Sequence, residues 1–327
     1  MFTERPFSRR SALLASGLIL LGSLAHAQAV DYPAKAIKFV VPFPAGSGTD
    51  QAAREAANDI TRRTGQPVIV DNKPGANGMI AAQLVARATP DGYTVFITTM
   101  TTQSVNPFLY KKLPYDPVAD FIPVAMLSKS AMVLVVRNTA DQPKSVAEHT
   151  ARMRAAGSKM SFASGNTSSL VAAKTYSNLL SAPALHVPYK GNPQGITDLL
   201  AGAIDFMFSD LTVATPLVQQ GRLRGLGVTG PARVSTLPDV PTMREAGMPI
   251  ELSVWNGAYL PAKTPPAVVA RLNELLNLAT KSKEGQERLR QTGGSVDTMS
   301  AEEFAKFNEQ ELLNWGRAVR GAGIQPE

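Results

Sequence analysis

The chain has 327 residues, of which 44% are hydrophobic and 18% charged, and it has no cysteine. That length suits two domains of ordinary size, and the lack of cysteine excludes a disulfide framework, a thiolate metal site, an iron–sulfur cluster and a thiol nucleophile. The formal charge is +7, from 33 Lys and Arg against 26 Asp and Glu, but the positive residues are scattered, without the basic stripe and interleaved aromatics of a nucleic-acid binder.

The first 27 residues read as an export signal. Arg5, Arg9 and Arg10 precede an apolar run over 11–24, and Ala25-His26-Ala27 is a small-x-small cleavage site. Cleavage is expected after Ala27, which places the product in the periplasm. Ser8-Arg9-Arg10 fits the twin-arginine route as well as the general one. The apolar run is shorter than the roughly 20 residues of a bilayer span, and no later segment approaches that length.

From there the chain alternates between two periodicities. Strands are predicted over 37–43, 67–70 and 93–97, with helices over 50–64 and 78–88 between them. The pattern repeats with strands at 132–136, 159–163, 185–189, 204–208 and 223–228, and helices at 145–156, 168–180 and 192–201. One more strand covers 255–260, and three helices follow from Pro265 to about Arg320. Strands alternating with helices indicate parallel sheets covered on both faces. No low-complexity linker separates the two units, so they are expected to share strands, with the last helices packing back on the first. Lobe 1 is assigned residues 28–128 and 253–327, lobe 2 residues 129–252, with a cleft between them.

Enzyme signatures are few. Beyond the leader the histidines are His149, expected on a solvated helix face, and His186, expected as a packed strand or cleft residue. No H-E-x-x-H, G-x-S-x-G or P-loop spacing occurs. Gly225, Gly227 and Gly230 satisfy G-x-G-x-x-G, but the first two fall inside a strand-like run and no helix follows. The sequence calls for no metal and no cofactor.

Two strand–loop–helix turns are more informative. Phe43-Pro44-Ala45-Gly46-Ser47-Gly48-Thr49-Asp50 precedes the first helix, and Ser164-Gly165-Asn166-Thr167-Ser168 a helix of the second unit. Glycine lets backbone approach a ligand, and free amides at a helix start favour an anion. The candidate ligand-binding residues are therefore Phe43, Ala45, Gly46, Ser47, Thr49 and Asp50 from the first turn, and Ser164, Gly165, Asn166, Thr167 and Ser168 from the second. Thr99, Thr101, Tyr189 and Asp210 join them from loops after other strands, the ends at which open α/β sheets hold ligands. Either turn alone also reads as an ordinary capped turn, with Asp50 and Ser168 as N-caps. A carboxylate at Asp50 would repel an anion, so its role is expected to be capping and loop ordering, or contact with a ligand ammonium.

Ordered motifs along residues 32–265 carry a resemblance. They include Tyr32-Pro33, Val40-Val41-Pro42-Phe43-Pro44-Ala45-Gly46, Asp71-Asn72-Lys73-Pro74-Gly75, Pro90-Asp91-Gly92-Tyr93, Asn106-Pro107-Phe108-Leu109-Tyr110 and Leu113-Pro114-Tyr115-Asp116-Pro117. In the second unit they include His186-Val187-Pro188-Tyr189-Lys190-Gly191 and Leu237-Pro238-Asp239-Val240-Pro241-Thr242. On these the chain resembles the tripartite tricarboxylate transporter receptors, the Bug-type periplasmic solute-binding proteins. The resemblance implies an α/β fold of two lobes, a type II-like Venus flytrap with mixed or parallel sheets flanked by helices. It also implies a monomeric receptor, not an enzyme, that grips a small carboxylate between the loops matching 43–50 and 164–169 and delivers it to a permease. Two positions depart from the family pattern: Ser47 replaces a frequent glycine, and Leu170-Val171 replaces a frequent histidine. Two alternatives stay open at this point. The closed lobes could be read by a membrane sensor kinase, or the protein could be an exported hydrolase or lyase using Asp50, Asp210 or His186.

Overall fold

In the computed structural model, the described residues are Met1 and 32–327. The export signal and its cleavage site after Ala27 lie outside them. The strand β1 (Ile37–Val41) is almost continuously apolar and buried, as a strand covered on both faces must be. It pairs in parallel with β2 (Val68–Asn72) on one side and β3 (Thr94–Thr99) on the other. Helix α1 (Gly48–Thr64) connects β1 to β2, and α2 (Met79–Ala86) connects β2 to β3. Ala52, Ala53, Ala56 and Ala57 put small side chains on the buried face of α1, beside the larger Ile60, so the helix can lie close to the sheet. It ends at Gly65, whose φ of 72° closes the last turn.

β4 (Phe121–Arg137) is a strand of 17 residues, far longer than the 132–136 expected. Residues 121–131 pair with β9 (Ser253–Pro261), which pairs antiparallel with β3. Residues 132–137 pair instead with β7 (Phe206–Asp210) and β8 (Leu223–Val228). β7 neighbours β5 (Ser161–Ser164), which neighbours β6 (Leu185–Pro188), both in parallel. One strand thus runs through both halves of a mixed sheet ordered β2-β1-β3-β9-β4-β7-β5-β6, with β8 beside β4. The early part of β4 escapes a periodicity reading because Pro123 and two register shifts interrupt its alternation.

The later part of β4 keeps strict alternation. Met132, Leu134 and Val136 face a core with Tyr176 and Phe206, while Val133 and Val135 face a second core with Ile196 and Leu211. Helices α3 (Val146–Ala156) and α4 (Thr167–Leu179) cover the first face, and α5 (Asn192–Ala201) and α6 (Leu211–Gln219) the second. The helix α6 was not expected: Pro216 lies inside it and disguises the helical pattern. The last helices are α7 (Pro266–Lys281), α8 (Lys283–Thr292) and α9 (Ala301–Gly321). Leu272, Leu275 and Leu276 of α7 pack with α1 and β1, and Phe304, Trp315 and Val319 of α9 pack with Phe96 and Tyr259, so they return to the first half as expected.

His149 corrects one expectation. It is fully buried, not solvated. Val146, His149 and Met153 form the inward stripe of α3 at helical spacing. The imidazole stacks on Tyr176, and its Nδ1 lies 3.0 Å from the Tyr176 hydroxyl. Burial pushes its pKa down to about 4, helped by the positive charge of Arg152. No helix among the described residues is long and apolar enough to cross a membrane.

Candidate functional site

The carboxyl ends of β1, β3, β5 and β7 open on one cavity of about 530 Å3. Helices α1, α4, α5 and α6 all begin at its wall, contributing Gly48, Ser168, Asn192 and Thr212. Strands leading into helices at one sheet edge produce this convergence, which directs positive helix ends and free amides into the cavity. A Cβ on Gly48 of α1 would sit 3.6 Å from Thr212 Oγ1 of α6, so the two halves meet closely at this rim.

The first turn is held from behind. Gly46 takes a φ of 83°, in the region that favours glycine. Ser47, not Asp50, is the N-cap: its Oγ accepts from the Asp50 amide at 3.2 Å. Asp50 is buried under the loop, where Oδ2 accepts from Gly46 N at 2.8 Å and from Arg54 Nε at 3.0 Å. Asn72 Nδ2 donates to Asp50 Oδ1 and to Phe43 O, each at 2.9 Å. Burial alone would raise the Asp50 pKa, but the hydrogen bonds from Arg54, Gly46 and Asn72 outweigh it and hold the carboxyl below its ordinary value.

The second turn is equally constrained. Asn166, not Ser168, is the N-cap of α4, and its Oδ1 accepts from Ser169 N and Ser168 Oγ, each at 2.9 Å. A Cβ on Gly165 would collide with the backbone of Gly191 and Asn192, so only glycine lets this turn meet the start of α5. Two N–H groups at each of these helix starts, Gly48 and Thr49 on α1 and Thr167 and Ser168 on α4, have no acceptor among the described residues.

Of the residues expected at the site, Phe43, Ala45, Gly46, Ser47, Thr49, Thr99, Thr101, Gly165, Asn166, Ser168 and Asp210 line the cavity. Four stand behind the wall. Asp50 orders the first turn as described. The Ser164 hydroxyl lies 2.7 Å from His186 Nε2. Thr167 is buried as the first residue of α4. Tyr189 donates its hydroxyl to Asp198 at 2.6 Å, an interaction that moves its pKa up to about 12. His186 of β6 stacks on Phe162 of β5, as a packed strand residue. Gly225 and Gly227 lie within β8 and no helix follows Gly230.

Asp210 is an acid among the amides and hydroxyls of the cavity wall. It accepts from Asn166 Nδ2 at 3.1 Å and Asn192 Nδ2 at 2.7 Å. Burial raises its pKa, and these two amides offset only part of that rise. Several lining residues were not foreseen. Ser128 of β4 and Asn256 of β9 are bonded to each other at 2.7 Å, and Thr49 Oγ1 donates to Asn256 Oδ1 at 2.8 Å. Thr212 and Arg288 also line the wall. Met100 leads from β3 into a π turn, Thr101–Val105, where a plain loop was expected. Among the described residues no group of three or more His, Asp and Glu could hold a metal ion.

A mixed sheet shared by two halves, with a cavity between facing helix starts, defines a two-lobed solute-binding protein. The sequence profile of the tripartite tricarboxylate transporter family receptor matches residues 52–324, and the chain belongs to that family. Three solved structures are similar to it. The periplasmic binding protein BugD is 32% identical, with 90% of this chain and 100% of that one covered and a TM-score of 0.82. A Rhodopseudomonas palustris protein with adipate is 29% identical over 90% of this chain and 100% of that one, TM-score 0.85. MatC of the same organism, with bound malate, is 29% identical over 88% of this chain and 100% of that one, TM-score 0.81. The family is one of periplasmic solute-binding receptors, not of enzymes.

Proposed function

We propose that this chain captures a small carboxylated organic solute between two lobes and delivers it to a membrane permease of the tripartite tricarboxylate type. Among the described residues, lobe 1 comprises 32–128 and 253–327, and lobe 2 residues 129–252; the boundary falls near the point where β4 exchanges β9 for β7 and β8. The observation that carries the reading is the pair of helix starts from opposite halves at one cavity, where the residues Gly48 and Thr49 of α1 and Ser168 of α4 line the wall with backbone N–H groups unpartnered among the described residues. Such groups are complementary to carboxylate oxygens. The adipate and malate of the similar proteins belong to the same chemical class.

In this reading Gly46, Ser47 and Thr49 hold one side of the carboxylate, and Gly165, Asn166 and Ser168 the other. Phe43, Ala45, Thr99, Thr101 and Asp210 shape the remaining wall, while Asp50, Ser164, Thr167 and Tyr189 position it from behind. Contacts from both lobes favour the closed arrangement, which is how binding becomes a signal to the permease. The protein acts as a monomer and needs no cofactor.

A thermal-shift screen tests this. The purified protein is unfolded and refolded to remove carried ligand, then heated with mono-, di- and tricarboxylates. A ligand at about a hundred times its Kd adds about 2.7 kcal/mol, which raises the melting temperature by several degrees. A folded protein that responds to no carboxylate would sink the proposal.

A further inference from the structure

Asp210 ends β7 and stands at the N-cap position of α6, yet its side chain makes no capping hydrogen bond there. Its partners are instead Asn166 and Asn192, and all three residues line the cavity. Oδ2 takes both close contacts, at 3.1 and 2.7 Å, while Oδ1 has only a 3.4 Å approach from Asn166 Nδ2. Oδ1 is therefore the oxygen with room for a further partner. The residue lies deep in the protein but is not fully covered, and the cavity is the space that reaches it.

The charged groups around it are engaged elsewhere. β5 and α6 hold no charged residue. On α4, Lys174 acts on His186, whose Nε2 lies 2.7 Å from the Ser164 hydroxyl. On α5, Asp198 is bonded to Tyr189. On β4, Lys129 sits over the Phe307 ring and Arg137 ends the strand. Across the cavity Arg288 is paired with Glu55 at 2.7 Å, Asp50 with Arg54 at 3.0 Å, and Lys190 is exposed at the rim. The rise in the Asp210 pKa accordingly comes from burial, opposed only by the two amides.

The proposed grip on the solute includes Asn166, the side chain that also bonds Asp210. A bound carboxylate is thus a second acid beside the first, and two carboxylates in one poorly hydrated site do not both stay ionised. We propose that Asp210 takes up one proton from solvent when an anionic solute binds and then presents an O–H donor to it, so that capture is proton-linked. The inference rests on the proposed carboxylate-binding function and concerns how that site balances its charge.

Calorimetry with acetate, succinate, malate, adipate and citrate tests it, on the wild type and Asp210→Asn, from about pH 5 to 8 and in buffers of different ionisation enthalpy. A group whose pKa is raised by the ligand makes affinity climb as pH falls through the raised value, by at most about tenfold per pH unit. The climb ends at the pKa of the empty protein, itself above the ordinary 3.8. The wild type, relative to the variant with the same solute and pH, is expected to show this climb and an excess uptake approaching one proton per ligand. Dividing by the variant cancels the titration of the solute and of His186. Asparagine is uncharged and keeps a carbonyl acceptor, so at about pH 8 the variant should bind several-fold more tightly than the wild type. Should Asp210→Asn fail to fold, Asp210→Ser carries the same comparison. A flat ratio without excess proton uptake overturns the inference and leaves the proposed function standing. So does a folded variant that binds more weakly at every pH, because Asp210 would then act as a charge, as toward a solute ammonium. A wild type that binds none of the carboxylates overturns both.

Discussion

Two aspartates near the cavity are treated in opposite ways. Asp50 is surrounded by donors, including the Arg54 guanidinium, so it stays charged and ties down the first turn. Asp210, among the described residues, accepts from two amides and pairs with no cation, so burial raises its pKa. The carboxylate that would most repel an anionic ligand is the one whose charge is discouraged. His149 shows the same physics away from the site. Its pKa is depressed to about 4 against an ordinary 6.5, by burial first. A base with a depressed folded pKa contributes stability that is complete above its unfolded pKa and is lost as pH falls toward the folded one. The window therefore runs from pH 6.5 down to about 4, and the full loss is about 3 kcal/mol. Urea unfolding at pH 7 and pH 5 should show the wild type losing more stability than His149→Phe over that interval. Equal losses in the two proteins would mean that the imidazole is not held neutral.

The elements that build the cavity depend on close approaches as much as on hydrogen bonds. Gly165 is the sharpest case, since a methyl group there would meet the backbone of α5 rather than a side chain that can turn away. Gly165→Ala is expected to push the β5–α4 turn away from the start of α5. The strain of such overpacking is about 1–3 kcal/mol, within what a chain of this size tolerates. On the proposed reading, in which Asn166, Ser168 and Asn192 must stay in register, ligand affinity should fall by about tenfold or more. Calorimetry on the folded variant checks this, and wild-type affinity would show that the contact is slack. Both turns were legible in the sequence because their signals are local: a strand, a run of glycine and hydroxyl residues, then a helical stripe. The caps were displaced, to Ser47 from Asp50 and to Asn166 from Ser168, because several adjacent residues can cap and the end of the preceding strand decides which one does. The first half of β4 was hidden by Pro123 and its register shifts, and α6 by Pro216. Ser128, Asn256 and Arg288 carry no local mark at all. They reach the cavity only because β4 pairs with β9 and because α8 docks beside α1.

At the scale of the whole molecule, the question is whether the two halves move. β4 is continuous through both, so any closure must bend or twist it near the exchange of partners at Ala131 and Met132. The opposite rim is free of such a strand. There Gly48 and Thr212 face each other from different halves. The absence of native cysteine makes this rim directly measurable. In a Gly48→Cys/Thr212→Cys variant the two thiols can bridge only when the halves are as close as they are here, because a disulfide demands Cα atoms within about 7 Å. A ligand that contacts both helix starts stabilises that approach and should raise the rate of disulfide formation under a mild oxidant. Once bridged, the protein should release bound ligand more slowly, and a reductant should restore the original rate. Bridging at the same rate with and without a ligand shown to bind would mean that the halves are fixed, and that recognition proceeds by entry into a preformed cavity.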